Sequence, residues 1–197
     1  MRKYFIQTFG CQMNQADSEK VNMILLQSGF MKAMKWQDAD LIIFNTCSVR
    51  QKGEDRVFGL VDDIVKANAA AGKQKHVFWI TGCMVRKTGL NMSYLPEDTE
   101  RNKAKKIEYI EKEGIYNHDD KLFPRIPKLD FTLRIEEVKY LNLMLSRIYW
   151  ESIWNDSKFD DYLKSKQLRE NNFSASVIVQ TGCDNYCTFC IVPFTRG

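Results

Sequence analysis

Histidine is nearly absent: the 197-residue chain has two, His76 and His118. Neither stands at a finger-like spacing from a cysteine, which excludes the common mixed Cys/His zinc sites. Both read as structural or surface residues. Long apolar runs are missing as well, since no stretch approaches the roughly eighteen apolar residues that cross a bilayer. The opening MRKYFIQTFG passes from two basic residues straight into a strand-like run, with no signal-peptide core. Charge of one sign is also scarce. The 29 Lys and Arg against 25 Asp and Glu leave a net +4, compatible with an RNA partner but short of the basic cluster that would identify one. What is present is ordinary: 44% hydrophobic and 27% charged residues suit a soluble domain with a real core. The expected location is cytoplasmic, where six cysteines serve more often as metal ligands or reactive thiols than as disulfides.

The first third alternates strand and helix signals. YFIQTF (4–9), DLIIFNT (40–46) and HVFWIT (76–81) read as strands. Between the first two, Asp17 is placed to cap a helix in which Val21, Ile24 and Leu25 share a face, with Gly29 as its stop. Val57, Leu60, Val61, Ile64 and Val65 then follow a helical period that ends near Gly72. Such alternation predicts an α/β fold with a parallel sheet. Residues 86–121 form a charged, aperiodic insertion, read as a solvated segment. KLDFTLR (128–134) predicts a fourth strand and 135–148 a helix presenting Val138, Leu141, Leu145 and Ile148. Residues 1–148 thus make one domain, 149–173 a linker, and 174–182 a further strand that opens a second domain over 174–197.

Cys11, Cys47 and Cys83 each fall one or two residues past a predicted strand, in two steps of 36 residues. In a parallel α/β sheet all carboxyl ends of strands open on one edge, where ligands bind. Three thiols remote in sequence therefore share a rim. The same positions are also open to a plainer reading, three buried cysteines acting as small hydrophobes. The remaining three, Cys183, Cys187 and Cys190, lie within eight residues in TGCDNYCTFCIVPFTRG. A CxxxCxxC loop suits one compact metal centre. Thiolates hold iron–sulfur clusters, four per four-iron cluster, so three leave one iron open for a small molecule.

CDNYCTFC resembles the signature of radical S-adenosylmethionine (SAM) enzymes, including the aromatic Phe189 before the last cysteine. Together with TFGCQMNQADS (8–18), NTCSVR (45–50) and TGCMVR (81–86) it resembles the methylthiotransferases. Gln12-Met13-Asn14 after the first cysteine resembles the tRNA branch, where the ribosomal-protein branch tends to have Pro-Lys-Asn.

The resemblance implies a three-layer methylthiotransferase domain followed by the first strand and cluster loop of an incomplete radical SAM β/α barrel. It implies that Cys11, Cys47 and Cys83 hold an auxiliary [4Fe-4S] cluster and that Cys183, Cys187 and Cys190 hold the SAM-binding [4Fe-4S] cluster. Phe189 would lie against the adenine of SAM, and Asn14, Asn45 and Arg50 near the auxiliary cluster, with turn and cap roles as the alternative. The implied reaction places a methylthio group on C2 of isopentenylated adenosine beside the tRNA anticodon, with an electron-donor protein as partner. A complete (β/α)₈ barrel takes roughly 200–250 residues, so the expectation is a fragment of a longer enzyme. A half completed by a second polypeptide, or a chain binding only the auxiliary cluster, are the alternatives.

Overall fold

The computed structural model describes residues 1–48, 51–72, 76–86, 88–90, 122–149, 173 and 177–196, with the Gln51 side chain excepted. Its centre is a six-stranded sheet in the order β2-β1-β3-β4-β6-β5. The strands are β1 (Lys3–Phe9), β2 (Met31–Lys32), β3 (Leu41–Thr46), β4 (Val77–Gly82), β5 (Gly89–Leu90) and β6 (Phe131–Thr132). All neighbours are parallel except the β5–β6 pair at one edge. All six residues of β3 and all six of β4 are buried, the mark of a parallel strand covered on both faces.

The alternation of side chains along those strands divides the core in two. Leu41, Ile43, Val77 and Trp79 face one side, with Val21, Ile24 and Leu25 of α1 (Gln12–Gln27) and the segment 135–149. Ile42, Phe44, Phe78 and Ile80 face the other, with Val57, Val61 and Ile64 of α2 (Gln51–Ala71) and Leu122 of the short α3 (Leu122–Arg125). Helix, sheet and helix make three layers. Gly29 follows α1 with φ +83° and Gly72 follows α2 with φ +58°, the stops expected from the sequence.

Four expectations need correcting. Helix α1 begins at Gln12, with Cys11 as its cap residue; Asp17 lies inside the helix, fully buried. Asn14 closes the first turn by accepting the Cys11 backbone N–H at 3.3 Å, so no cap is needed further on. The fourth strand is short, although Asp130 and Leu133 on its flanks also donate to β4 carbonyls at 3.0 and 3.2 Å. The helix over 135–148 is two: a 3₁₀ segment, Ile135–Tyr140, with Glu137 off helical geometry, then α4 (Leu141–Tyr149). Its expected face, Val138, Leu141, Leu145 and Ile148, is buried. Residues 177–182 form no strand, because no described strand supplies the ladder a strand requires. Most of the charged insertion (91–121), nearly all of the linker (150–172) and positions 174–176 lie outside the described residues, as do Arg50 and His118.

Candidate functional site

The strand order places β1 between β2 and β3, so the connections leaving β1 (to β2) and β3 (to β4) run to opposite sides. Helices α1 and α2 accordingly cover opposite faces. The carboxyl ends of β1 and β3 flank this reversal, the place where open α/β sheets take ligands. Cys11 follows β1, Cys47 follows β3 and Cys83 follows β4. The three sequence-predicted thiols therefore stand on one edge of three adjacent strands.

Hydrogen bonds tie these strand ends together. The Cys47 N–H donates to the Phe9 carbonyl at 2.9 Å, and the Ser48 hydroxyl donates to the Cys83 carbonyl at 2.9 Å. Beneath them Asn14 Nδ2 donates to Asn45 Oδ1 at 2.8 Å. Asn45 Nδ2 in turn donates to the Asn14 carbonyl at 2.7 Å and to Ser18 Oγ at 2.9 Å. Both asparagines are fully buried, so they join the first turn of α1 to the end of β3 as well as capping the helix. Gly82 makes the approach possible. Its φ is +87°, and a Cβ there would meet Asn45 Oδ1 at 2.4 Å and the Thr46 carbonyl at 2.6 Å.

Exposure rises across the rim: Cys83 is buried, Cys47 half-buried and Cys11 exposed. Burial pushes the Cys83 thiol above its usual range, and Arg196 opposes this by charge and hydrogen bond. Cys47 also acts electrostatically on Cys83. His76, by contrast, is structural. Its Nδ1 meets the Ala39 carbonyl at 2.6 Å and its Nε2 meets Asn68 Oδ1 at 3.2 Å.

The second thiol set belongs to a different environment. Residues 183–190 are turns, with Cys187 exposed and Cys183 and Cys190 half-buried. One backbone bond, Cys190 N–H to the Cys187 carbonyl at 2.9 Å, crosses the loop. Phe189 is 93% exposed, so nothing in the described residues covers the ring. The loop leads into a single helical turn, α5 (Val192–Thr195), and then into Arg196.

Arg196 joins the two sets, and sequence reasoning missed it. Its Nη2 donates to Asp17 Oδ2 at 2.6 Å and its Nε donates to Cys83 Sγ at 3.2 Å. Burial works against its charge, but Asp17 and Cys83, each by charge and hydrogen bond, together raise the guanidinium pKa. Nη1 is buried with no partner among the described residues. The only local hint was a cation following an apolar turn, because its two partners lie 179 and 113 positions away.

Among the described residues no group of three or more His, Cys, Asp or Glu is drawn in around a single metal ion. The donor chemistry is nonetheless specific. Six free thiols fall into two sets of three along the chain, and the guanidinium that donates to Cys83 carries a buried N–H without a partner among the described residues. Soft thiolates with nearby donors suit iron–sulfur clusters, whose inorganic sulfides accept hydrogen bonds. The residues fit that group.

Residues 3–101 match the family described as uncharacterized protein family UPF0004. The chain is 33% identical over its full length to a protein of Protochlamydia amoebophila, of which it covers 37%. It is 34% identical over 99% of its length to a protein of Hydrogenobaculum sp., covering 39% of it. A protein of Dictyoglomus thermophilum is 34% identical across the whole chain, which covers 38% of it. Each of the three is named tRNA-2-methylthio-N(6)-dimethylallyladenosine synthase. The chain thus spans less than two-fifths of the length of these curated relatives. No helix among the described residues is long and apolar enough to cross a membrane. With its first half matched by the family profile and its whole length by these synthases, the chain belongs to the UPF0004 family and is a relative of the tRNA methylthiotransferases.

Proposed function

We propose that the chain is part of a radical SAM methylthiotransferase that modifies C2 of N6-isopentenyladenosine beside the anticodon of tRNA. Cys11, Cys47 and Cys83 hold an auxiliary [4Fe-4S] cluster, and Cys183, Cys187 and Cys190 hold the [4Fe-4S] cluster that binds SAM. Bound there, the clusters and SAM supply radical chemistry, which a C–H bond with no acidic proton requires. The chain's own residues supply position. The sheet fixes one thiol at each of three strand ends, the Asn14–Asn45 pair locks two of those ends together, and Arg196 ties the second loop to the first rim. The observation that carries the reading is the bond from Arg196, six residues after the second cysteine set, to Cys83 of the first. A tRNA substrate, an electron-donor protein and the remainder of the barrel, in the same or a second polypeptide, complete the proposed assembly.

A second reading has its own support. The 183–190 loop is exposed and scarcely bonded, which favours a chain that by itself holds only the auxiliary cluster, an iron–sulfur protein without catalysis. Iron content distinguishes the two. Anaerobic reconstitution should give roughly eight irons per chain for two four-iron clusters and roughly four for one. Cys187→Ala should remove about half of the iron under the first reading. No loss on that substitution leaves only the second, and no iron in either protein defeats both.

A further inference from the structure

Arg196 has the contacts of a residue that acts on a metal centre. It is 7% exposed, its Nε–H points at the Cys83 sulfur from 3.2 Å, and its Nη2 is clamped to Asp17, itself fully buried. The clamp gives the pair a direction. The guanidinium donates to both the sulfur and the carboxylate, so the positive member of the ion pair is in direct contact with Cys83. Nη1 remains a buried donor without a partner among the described residues.

From this geometry we propose that Arg196 is a positioning residue for the cluster at Cys11, Cys47 and Cys83, donating to the Cys83 sulfur and raising the potential at which that cluster accepts an electron. The inference rests on the auxiliary-cluster assignment above. Reduction adds one electron to the cluster and increases its negative charge. A fixed cation and an N–H···S bond stabilise the reduced form more than the oxidised one. Because Arg196 follows the 183–190 loop by six residues, the same side chain tethers the segment after the second cysteine set to Cys83. A lysine cannot replace it in full, since one ammonium does not span two partners in a fixed fork.

The test uses the full chain with Cys183, Cys187 and Cys190 all changed to Ala, so that only the first set can load. After reconstitution with iron and sulfide, the potential is read by EPR-monitored redox titration with Arg196 present and in Arg196→Met. The expected result is unchanged iron content with a reduction equilibrium about tenfold less favourable, or about 59 mV for a one-electron couple. Equal potentials with equal iron overturn the proposal while leaving the cluster assignment intact. No iron even with Arg196 present overturns the assignment itself, and the proposal with it. If Arg196→Met alone loads no iron, a spectroscopic measurement decides. In chain labelled with ¹⁵N-arginine, the reduced cluster should show a ¹⁵N hyperfine coupling that disappears in Arg196→Lys. Absence of that coupling in the labelled chain overturns the proposal.

Discussion

The two cysteine sets are built in opposite ways. Cys47 and Cys83 extend strands whose every residue is buried; Asn14 and Ser18 of α1 bond Asn45 at the end of β3, and Ser48 bonds the Cys83 carbonyl. Cys183, Cys187 and Cys190 lie in turns whose apolar neighbours Val179, Phe189 and Phe194 are 89, 93 and 62% exposed. The first set takes its positions from the core. The second takes none, apart from the tether at Arg196. A ligand arriving at the rim meets thiols that are already placed, while one arriving at the loop must order it and meet the conformational cost of doing so. The lesson is that the same residue type can stand on a rigid rim and in an exposed loop within a single chain.

That contrast can be broken in several places. The largest effect is expected from Trp79→Ala, because Trp79 is fully buried in β4 and stacked on Phe131 at 5.4 Å. Loss of such a side chain costs about 3–5 kcal/mol, measurable in urea, and the rim should lose its iron along with its fold. Asp17→Ala comes next. It leaves the Arg196 guanidinium buried and unpaired, which costs about 3 kcal/mol unless residues 191–196 detach. Hydrogen exchange separates these outcomes, and detachment with little global loss is the expected one, since nothing else charged in the described contacts holds Arg196. Gly82→Ala is smaller, about 2 kcal/mol from the positive φ alone, and it pushes the Asn45 amide off the strand end. Iron retention at the first set should fall with it, while the 183–190 loop is unaffected.

How legible each region was in the sequence follows from how local its determinants are. Strands β1, β3 and β4 were legible to within a residue or two because each is a continuous apolar run. The rim followed from them, since parallel strands share an edge. The start of α1 was misread because Asp17 has the chemistry of a cap, yet its partner is a guanidinium 179 positions away. Nothing near Asp17 or Arg196 announces that bond. The kink at Glu137 was equally hidden: the apolar period continues through it, and only the backbone changes. SASVIVQTG has the composition of a strand, but composition supplies no hydrogen-bonding neighbour, and 177–182 have none in a ladder here.

The smallest expected effect is also the sharpest comparison of the two regions. Phe189 and Trp79 are both large aromatics, but one is 93% exposed and the other fully buried. Phe189→Ala should therefore shift stability by less than about 0.5 kcal/mol, with the urea midpoint unchanged. If the loop acquires its order from SAM, the missing ring appears in binding instead. An aromatic stack contributes about 1 kcal/mol beyond simple burial, so SAM affinity of the iron-loaded protein should weaken by roughly fivefold to tenfold in equilibrium dialysis. A large loss of stability would mean that the ring is packed in the free chain and that the loop is pre-organised after all. Unchanged stability with unchanged SAM affinity would instead detach Phe189 from the ligand, leaving Arg196 as the residue that gives this loop a position.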